Sequence, residues 1–346
     1  MKMQYRAFAQ ALAAAALFGV ATPFSKTLLD DLQVNVLAGL LYLGAAVCLL
    51  PLVLRHHLSG RNVFPTDARN VRNLLGAVCC GGIIGPVLLL LGLKYALAAS
   101  VAMWLNLETT ATAIIAFLLF REHLDKWTWL GNIGIVFAGA LLSFEQGWAG
   151  GIGLAFVVGA AFAWGFDNNF TAVIDGISPE DSTFWKGLIA GTTNLIIGLV
   201  LFREQIEFAW LWRALLLGGL SYGASIVLYI RSAHGLGATR SQMVFSSAPF
   251  WGVLLSLFWL SESLSLLQIF AGFVLAVSVC LMFRDVHEHL YEHEALIHVH
   301  EHGHDDGHHQ HISDDHKSGT HSHVHEHEST VHSHPHWPDI HHRHHG

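Results

Sequence analysis

Two acidic side chains lie deep inside long apolar stretches of this sequence. Glu108 falls within WLNLETTAT, and Asp167 falls within AWGFDNNF. An ionisable group inside a lipid bilayer is costly, so it usually faces a cavity or a partner and marks a functional site. An apolar surrounding favours the uncharged form of a carboxyl group, which suits a group that gains and releases a proton. The alternative role is structural, as one half of a salt bridge between helices. Four basic residues are candidate partners: Lys26, Lys94, Lys186 and Arg240.

Other polar residues recur at helical spacing near these two acids. Residues three or four positions apart lie on one side of a helix. This spacing defines three faces: Asn106 with Thr109 and Thr110, Gln242 with Ser246 and Pro249, and Tyr222 with Ser225 and Tyr229. We therefore expect a polar chamber that binds a substrate and its coupling ion through Glu108, Asp167, Asn106, Thr109, Ser246 and Tyr222.

The last part of the chain, residues 284–346, is dense in histidine and predicts metal binding. The candidate ligands are His287, His289, His298, His300, His302, His304, His308, His309, His321, His323, His325 and His327. Imidazole binds zinc, nickel, cobalt and copper, and alternate residues of an extended chain lie on one side. Two alternatives stay open. The tail senses pH, because imidazole titrates near pH ~6.5, or it is low-complexity sequence without a role. No other cofactor is expected.

The elements that must position these residues are membrane helices. Only 13% of the residues are charged and 53% are hydrophobic, whereas about a quarter of a soluble domain is charged. A helix needs about 20 apolar residues to cross a bilayer, and ten such runs can be identified. They are 7–29, 33–54, 71–93, 97–120, 127–144, 150–173, 183–202, 210–230, 239–260 and 264–283. The tail has too few apolar residues for a core. The predicted fold is an all-α integral membrane protein with ten transmembrane helices and a disordered His-rich tail.

The distribution of basic residues predicts the orientation. With the N-terminus in the cytoplasm, twelve lysines and arginines at the ends of the runs are cytoplasmic and four are not, as the positive-inside rule requires. We expect a multi-pass protein of the plasma membrane or bacterial inner membrane, with both termini cytoplasmic. The net charge of −8 arises in the acidic tail, so nothing suggests nucleic acid as a partner.

The membrane part reads as one five-helix unit used twice. A shift of 140 residues places Glu122 on Glu262 and Asn106 on Ser246, and an upstream match sets Gly19 on Gly165. Five is an odd number, so the second unit must enter the membrane from the opposite side. Inverted repeats of this kind are found in secondary transporters, with the substrate site between them. The predicted domains are 1–145, 146–283 and the tail 284–346.

Three stretches carry a resemblance to a known family. They are GVATPFSK from Gly19, LFREHLDKWTWLGNIGIVFAGALL in the first repeat, and Ala248-Pro249-Phe250 with WLSESLSLLQIFAG in the second. The chain resembles the drug/metabolite transporter superfamily, in its ten-helix form with two EamA-type repeats. The resemblance implies export of small organic solutes such as amino acids, metabolites or drug-like compounds. The sequence departs from its own repeat at Thr109, which aligns with Pro249, and at Asn169, which aligns with Pro23. We expect four residues to act as structural joints: Glu122, Glu262, Pro23 and Pro249.

Three functions are consistent with the sequence. The favoured one is a secondary transporter that exports small organic solutes, with a tail that responds to metal or pH. The first alternative is a permease for a transition metal or its chelate, with the tail as a metal buffer. The second is a receptor or metal-storage protein that transports nothing. Because no catalytic nucleophile, phosphate-binding loop or dinucleotide motif is present, we expect no enzymatic activity and transport driven by gradients.

Overall fold

The computed structural model describes residues 2–120, 124, 126–202, 207–236, 241, 244–282, 287–293, 296–302, 321–327 and 330–336. The chain divides into two compact units. One contains Met1–Asp285 with Pro338–Gly346, and the other contains Val286–Trp337. The first unit holds the apolar runs and the second holds most of the His-rich tail.

The described part of the first unit is helical. Its helices are α1 (Lys2–Gly19), α2 (Ala21–Leu28), α3 (Val34–Leu58), α4 (Ala68–Ala77), α5 (Gly85–Tyr95), α6 (Ala98–Trp104), α7 (Leu107–Phe120), α8 (Lys126–Glu145), α9 (Gly147–Ala172), α10 (Pro179–Leu201), α11 (Phe208–Gly218), α12 (Ser225–Leu236), α13 (Ala248–Trp259) and α14 (Leu266–Met282). Two π-helical segments lie between them, π1 (Val78–Ile84) and π2 (Gly219–Ala224).

The helices confirm an all-α membrane fold. Eight stretches are long and apolar enough to cross a bilayer: Tyr5–Leu28, Val34–Leu58, Ala68–Tyr95, Ala98–Leu118, Lys126–Glu145, Gly147–Ala172, Pro179–Leu201 and Phe208–Ser232. These are the first eight predicted runs, in order. The ninth and tenth runs correspond to the shorter apolar helices α13 and α14. In lipid the backbone must satisfy its own hydrogen bonds, which is why each of these apolar runs forms helix.

The first span is broken at a residue that the repeat alignment singled out. Helix α1 ends at Gly19, and Pro23 lies in α2; proline has no N–H to continue the hydrogen-bond ladder of a helix. A side chain at Gly19 would collide with the backbone of Ala248 and Gly252 in the ninth span. The break and the glycine therefore let the first and ninth spans approach closely.

Gly165, the matching glycine of the second repeat, lets the sixth and fourth spans approach closely in the same way. A side chain at Gly165 would meet the backbone of Ala111 and Thr112. A shift of 140 residues places Thr112 on Gly252, the residue that faces Gly19. The structure thus confirms the alignment of Gly19 with Gly165 as an equivalence of packing.

The third and eighth spans share an irregularity that the sequence did not predict. π1 interrupts the third span between α4 and α5, and π2 interrupts the eighth between α11 and α12. A shift of 140 residues carries π1 onto 218–224, within one residue of π2. Such bulges are rare and often lie at functional sites. The two repeats therefore carry the same distortion at the same place.

The second and seventh spans, α3 and α10, cross at small residues. A side chain at Gly191 would overlap the backbone of Leu43 and Gly39, and one at Gly187 would meet the carbonyl oxygen of Tyr42. Small residues let membrane helices pack backbone against backbone. This crossing joins the two repeats and sets Tyr42 beside α10.

Outside the membrane, Asp67 caps the start of α4. Its carboxylate accepts hydrogen bonds from the backbone N of Asn70 at 3.0 Å and from the Asn70 side chain at 2.7 Å. These bonds stabilise the charged form and hold the pKa of Asp67 below its usual value. The cap fixes the end of the loop that joins the second and third spans.

The tail unit contains four described strands where the composition predicts disorder. They are β1 (His287–His293), β2 (Leu296–His302), β3 (His321–His327) and β4 (Thr330–His336). β1 pairs with β4 and β2 with β3, both antiparallel. Histidine alternates with other residues in these segments, and a period of two suits a strand. This pattern favours pairing of the strands although the tail lacks the apolar residues of a core.

Candidate transport site

Asp167 is paired with a cation inside the membrane region. This residue of α9 is only 4% exposed. Its carboxylate lies 2.7 Å and 3.0 Å from the ammonium group of Lys186 on α10, and it accepts a hydrogen bond from Thr171 at 3.0 Å. Lys186 lies two turns inside α10 and not at its end. One of the four partners named from the sequence is therefore the one that binds Asp167.

The carboxylate of Asp167 occupies space that a glycine leaves open. A side chain at Gly81 in π1 would collide with it, and one at Gly85 would collide with the indole of Trp164. Both neighbours belong to α9. The sixth span therefore packs against the third span at this pair of glycines, which are four residues apart.

The backbone of π1 is hydrogen-bonded by side chains from three other helices. The carbonyl oxygen of Gly81 accepts from the hydroxyl of Tyr42 at 2.6 Å and from the indole of Trp164 at 2.9 Å. The amide of Asn194 on α10 lies 3.3 Å from each of the next two carbonyl oxygens. A π-helical turn changes the regular bonding of a helix, and these donors satisfy the groups it presents.

Tyr222 connects π2 with this cluster. Its ring stacks on Tyr42 with centroids 5.7 Å apart and meets Phe18 edge-on at 5.7 Å. Tyr42 in turn is bonded to π1. The candidate residue Tyr222 is therefore located where the π-helical segments of the two repeats are linked through aromatic rings.

Glu108 belongs to the same cluster but has a different partner. It lies in the first turn of α7. The side-chain amide of Asn168 donates to Glu108 at 2.9 Å and to the hydroxyl of Thr112 at 3.1 Å. Asn168 directly follows Asp167 in α9, so Glu108 bonds to the same turn of the sixth span. Within the described residues Glu108 forms no ion pair, and the donor to its carboxyl group is the neutral amide of Asn168.

The remaining candidate residues differ in how far they are buried. Asn106 is buried at the break between α6 and α7 and donates to the Met103 carbonyl at 3.0 Å. Thr110 is buried, whereas Thr109 is exposed, so the three do not form one buried face. Thr109 and Thr110 are neighbours in α7, about 100° apart around the helix axis, which explains this difference. Ser246 is half-buried just before α13.

Glu262, which was predicted as a structural joint, forms hydrogen bonds to the other repeat. Its two carboxylate oxygens accept from the backbone N–H groups of Ala98 and Ala99, each at 2.9 Å. It therefore caps the fourth span from the loop that precedes the tenth. A carboxylate at a helix N-terminus satisfies open N–H groups and complements the helix dipole.

Lys26 of α2 and Gln146, which precedes α9, bind the backbone of the same turn. The ammonium group of Lys26 donates to the carbonyl oxygens of Leu93 and Ala96 at the end of the third span, and Gln146 accepts from the N–H of Leu97 at 3.0 Å.

Pro249 is in the first turn of α13, where proline is favoured. Glu122 lies outside the described residues, as do His304, His308 and His309.

Four residues of the cluster were missed from the sequence: Tyr42, Trp164, Asn168 and Asn194. Each is a polar or amphipathic residue inside an apolar run, which is a weak signal on its own. Among the side chains that the structure describes, no group of three or more His, Cys, Asp or Glu is arranged to hold a metal ion.

Comparison with known proteins agrees with the two-repeat fold. The sequence model of the EamA-like transporter family matches residues 6–144 and 151–284, which correspond to the two repeats. A protein of Methanothermobacter thermautotrophicus described as an uncharacterized transporter is 25% identical over 285 residues, covering 77% of this chain and 82% of that protein. One crystal structure matches 81% of this chain and 95% of its own with a TM-score of 0.56 and 15% identity, a likeness of fold.

Proposed function

Because the chain belongs to the EamA-like transporter family and is a membrane transporter, we propose that it is a gradient-driven exporter of small organic solutes. The observation that carries the proposal is the cluster at the repeat interface. There Glu108, the Asp167–Lys186 pair and Tyr222 come from four spans and adjoin both π-helical segments. Sites between repeats, next to irregular helices, are where secondary transporters bind their substrates.

Glu108 is the proposed proton carrier of this cluster. Asp167 is neutralised by Lys186, whereas Glu108 accepts a hydrogen bond from a neutral amide. An amide can hydrogen-bond to either the charged or the neutral carboxyl group, so protonation of Glu108 leaves this contact available. Asp167 would instead lose its ion pair. The two acids therefore take different roles, with Glu108 coupled to the gradient and Asp167 holding α9 to α10.

The surroundings favour an organic solute over a bare metal ion. Tyr42, Tyr222 and Phe18 present aromatic rings beside the charged cluster, and aromatic rings bury apolar parts of ligands well. The alternative, a permease for a transition metal or its chelate, is supported by the histidines of the tail. We propose that the tail responds to metal ions and does not form the translocation site.

Both termini are proposed to be cytoplasmic, in a plasma or bacterial inner membrane. Ser59 and Asp30 are exposed at opposite ends of the second span, so each can report one side. In a chain whose four cysteines are replaced, an impermeant maleimide added to intact cells should label Asp30→Cys and leave Ser59→Cys unlabelled. The reverse pattern would contradict the orientation, and equal labelling of both would contradict the spans.

A growth screen tests the exported substrate. Cells lacking the protein should become sensitive to particular organic compounds and regain resistance with the full chain or with residues 1–283. Glu108→Gln should not restore it. Sensitivity confined to zinc, nickel, cobalt or copper, with resistance that requires the tail, would support the metal permease and contradict the proposal.

A further inference from the structure

The described strands of the tail place histidine opposite histidine. In the sheet formed by β2 and β3, the register pairs His298 with His325, His300 with His323, and His302 with His321. Successive pairs are two residues apart along each strand. Positions that alternate in this way belong to one face of a sheet, so six histidine positions form three adjacent rungs of one ladder.

The second sheet repeats the arrangement in shorter form. In the pairing of β1 with β4, His287 is opposite His336 and His289 is opposite His334. The next rung on that face pairs Tyr291 with His332. The β2–β3 sheet therefore has the longer uninterrupted run of histidine rungs.

The intervening positions of β2 and β3 differ in kind. Ile297, Val299 and Glu301 alternate with the histidines of β2, and Ser322, Val324 and Glu326 alternate with those of β3. No histidine occupies the other face of this sheet. The register thus places all seven histidine positions of the two strands on one face, six of them paired with each other and His327 opposite Leu296.

Two neighbouring rungs bring together enough ligands for one metal ion. Directly opposite residues of an antiparallel pair have Cβ atoms about 4.5–5.5 Å apart, and the next rung is about 7 Å along the strand. Four histidine positions therefore lie within the reach of imidazole side chains around a common centre. Nitrogen-only sites suit zinc, nickel and copper, and affinity generally rises toward copper. The tail contains no cysteine, so sulfur ligands are not available.

We propose that the β2–β3 ladder is a binding site for divalent transition-metal ions, in which imidazoles from both strands share each ion. The proposal concerns the tail and does not depend on the transport function. Binding across the strands joins His302 to His321 and so closes the 18 residues between them in the sequence. Metal binding should therefore be coupled to pairing of the strands, as in small domains whose fold depends on a metal.

Zinc titration of the full-length chain tests the proposal by calorimetry. His300→Ala and His323→Ala, on one rung, should each weaken binding by about tenfold or more, because either change removes a ligand of the same ion. The double variant should be little weaker than the singles, since the shared site is already lost. The matched control replaces the adjacent rung on the other face, Val299→Ala with Val324→Ala, and should leave zinc binding unchanged.

Three results would overturn the ladder. Independent sites within each strand would make the losses in the double variant multiply. An equal loss in the valine control would assign the effect to strand structure and not to imidazole ligands. Binding that persists in a chain of residues 1–283 would place the metal outside the tail.

Discussion

Lys186→Met is expected to destabilise the protein by about 3–5 kcal/mol, because it leaves the buried Asp167 carboxylate without its cation. The ammonium group lies 2.7 Å and 3.0 Å from the two oxygens of that carboxylate. Removing one partner of a buried pair costs far more than the pair contributes, since the remaining charge stays away from water. Thermal unfolding of purified protein in detergent measures the effect as a lower Tm.

Two further variants serve as a control and a rescue for this prediction. Lys94→Met removes an exposed lysine and should change stability by no more than about 0.5 kcal/mol. Lys186→Met combined with Asp167→Asn removes both charges and should recover part of the lost stability. If Lys186→Met melted at the same temperature as Lys94→Met, the ion pair would have no structural role.

Glu108→Gln is expected to abolish export driven by a pH gradient while exchange of bound substrate continues. Glutamine retains an oxygen that can accept the hydrogen bond from Asn168, 2.9 Å away in the native protein, but it cannot carry a proton. Proteoliposomes measure both activities, net transport under an imposed gradient and counterflow at equal pH, with a solute identified by the growth screen. We expect net transport to fall at least tenfold.

Glu145→Gln serves as the matched control, because Glu145 is an exposed carboxylate at the end of α8. Both activities should survive in this variant. A purely structural role for Glu108 would instead lower the Tm of Glu108→Gln and reduce exchange along with net transport. Gradient-driven transport at the native rate in well-folded Glu108→Gln would exclude the coupling role.

The sequence was sufficient to predict the first eight spans and to place Glu108 and Asp167 within membrane helices. Apolar length alone specifies a membrane helix, and the cost of burying charge singles out Glu108 and Asp167. To choose Lys186 among the four candidate partners, one must know how deep each basic residue lies within its helix, and only the structure shows this. A lysine two turns inside α10 and a lysine at its end look alike in an apolar run.

The π-helical segments could not be predicted, because their cause is not local. VCCGGII and GLSYGA are apolar, glycine-rich stretches that suit an ordinary membrane helix equally well. In π1 the donors come from Tyr42, Trp164 and Asn194, which are far away in the sequence. Glu262 was predicted to be a structural joint. Its partners, Ala98 and Ala99, belong to the other repeat, so the sequence around Glu262 does not reveal them.

The paired π-helical segments also bear on the ancestry of the chain. An irregularity at equivalent positions in the third and eighth spans is most simply inherited from a single five-helix protein that carried it before its gene was duplicated. The charges are not shared in this way. Where the second repeat has Asp167, the alignment of Gly19 with Gly165 gives the first repeat Ala21. The two halves therefore kept a common shape while their chemistry diverged.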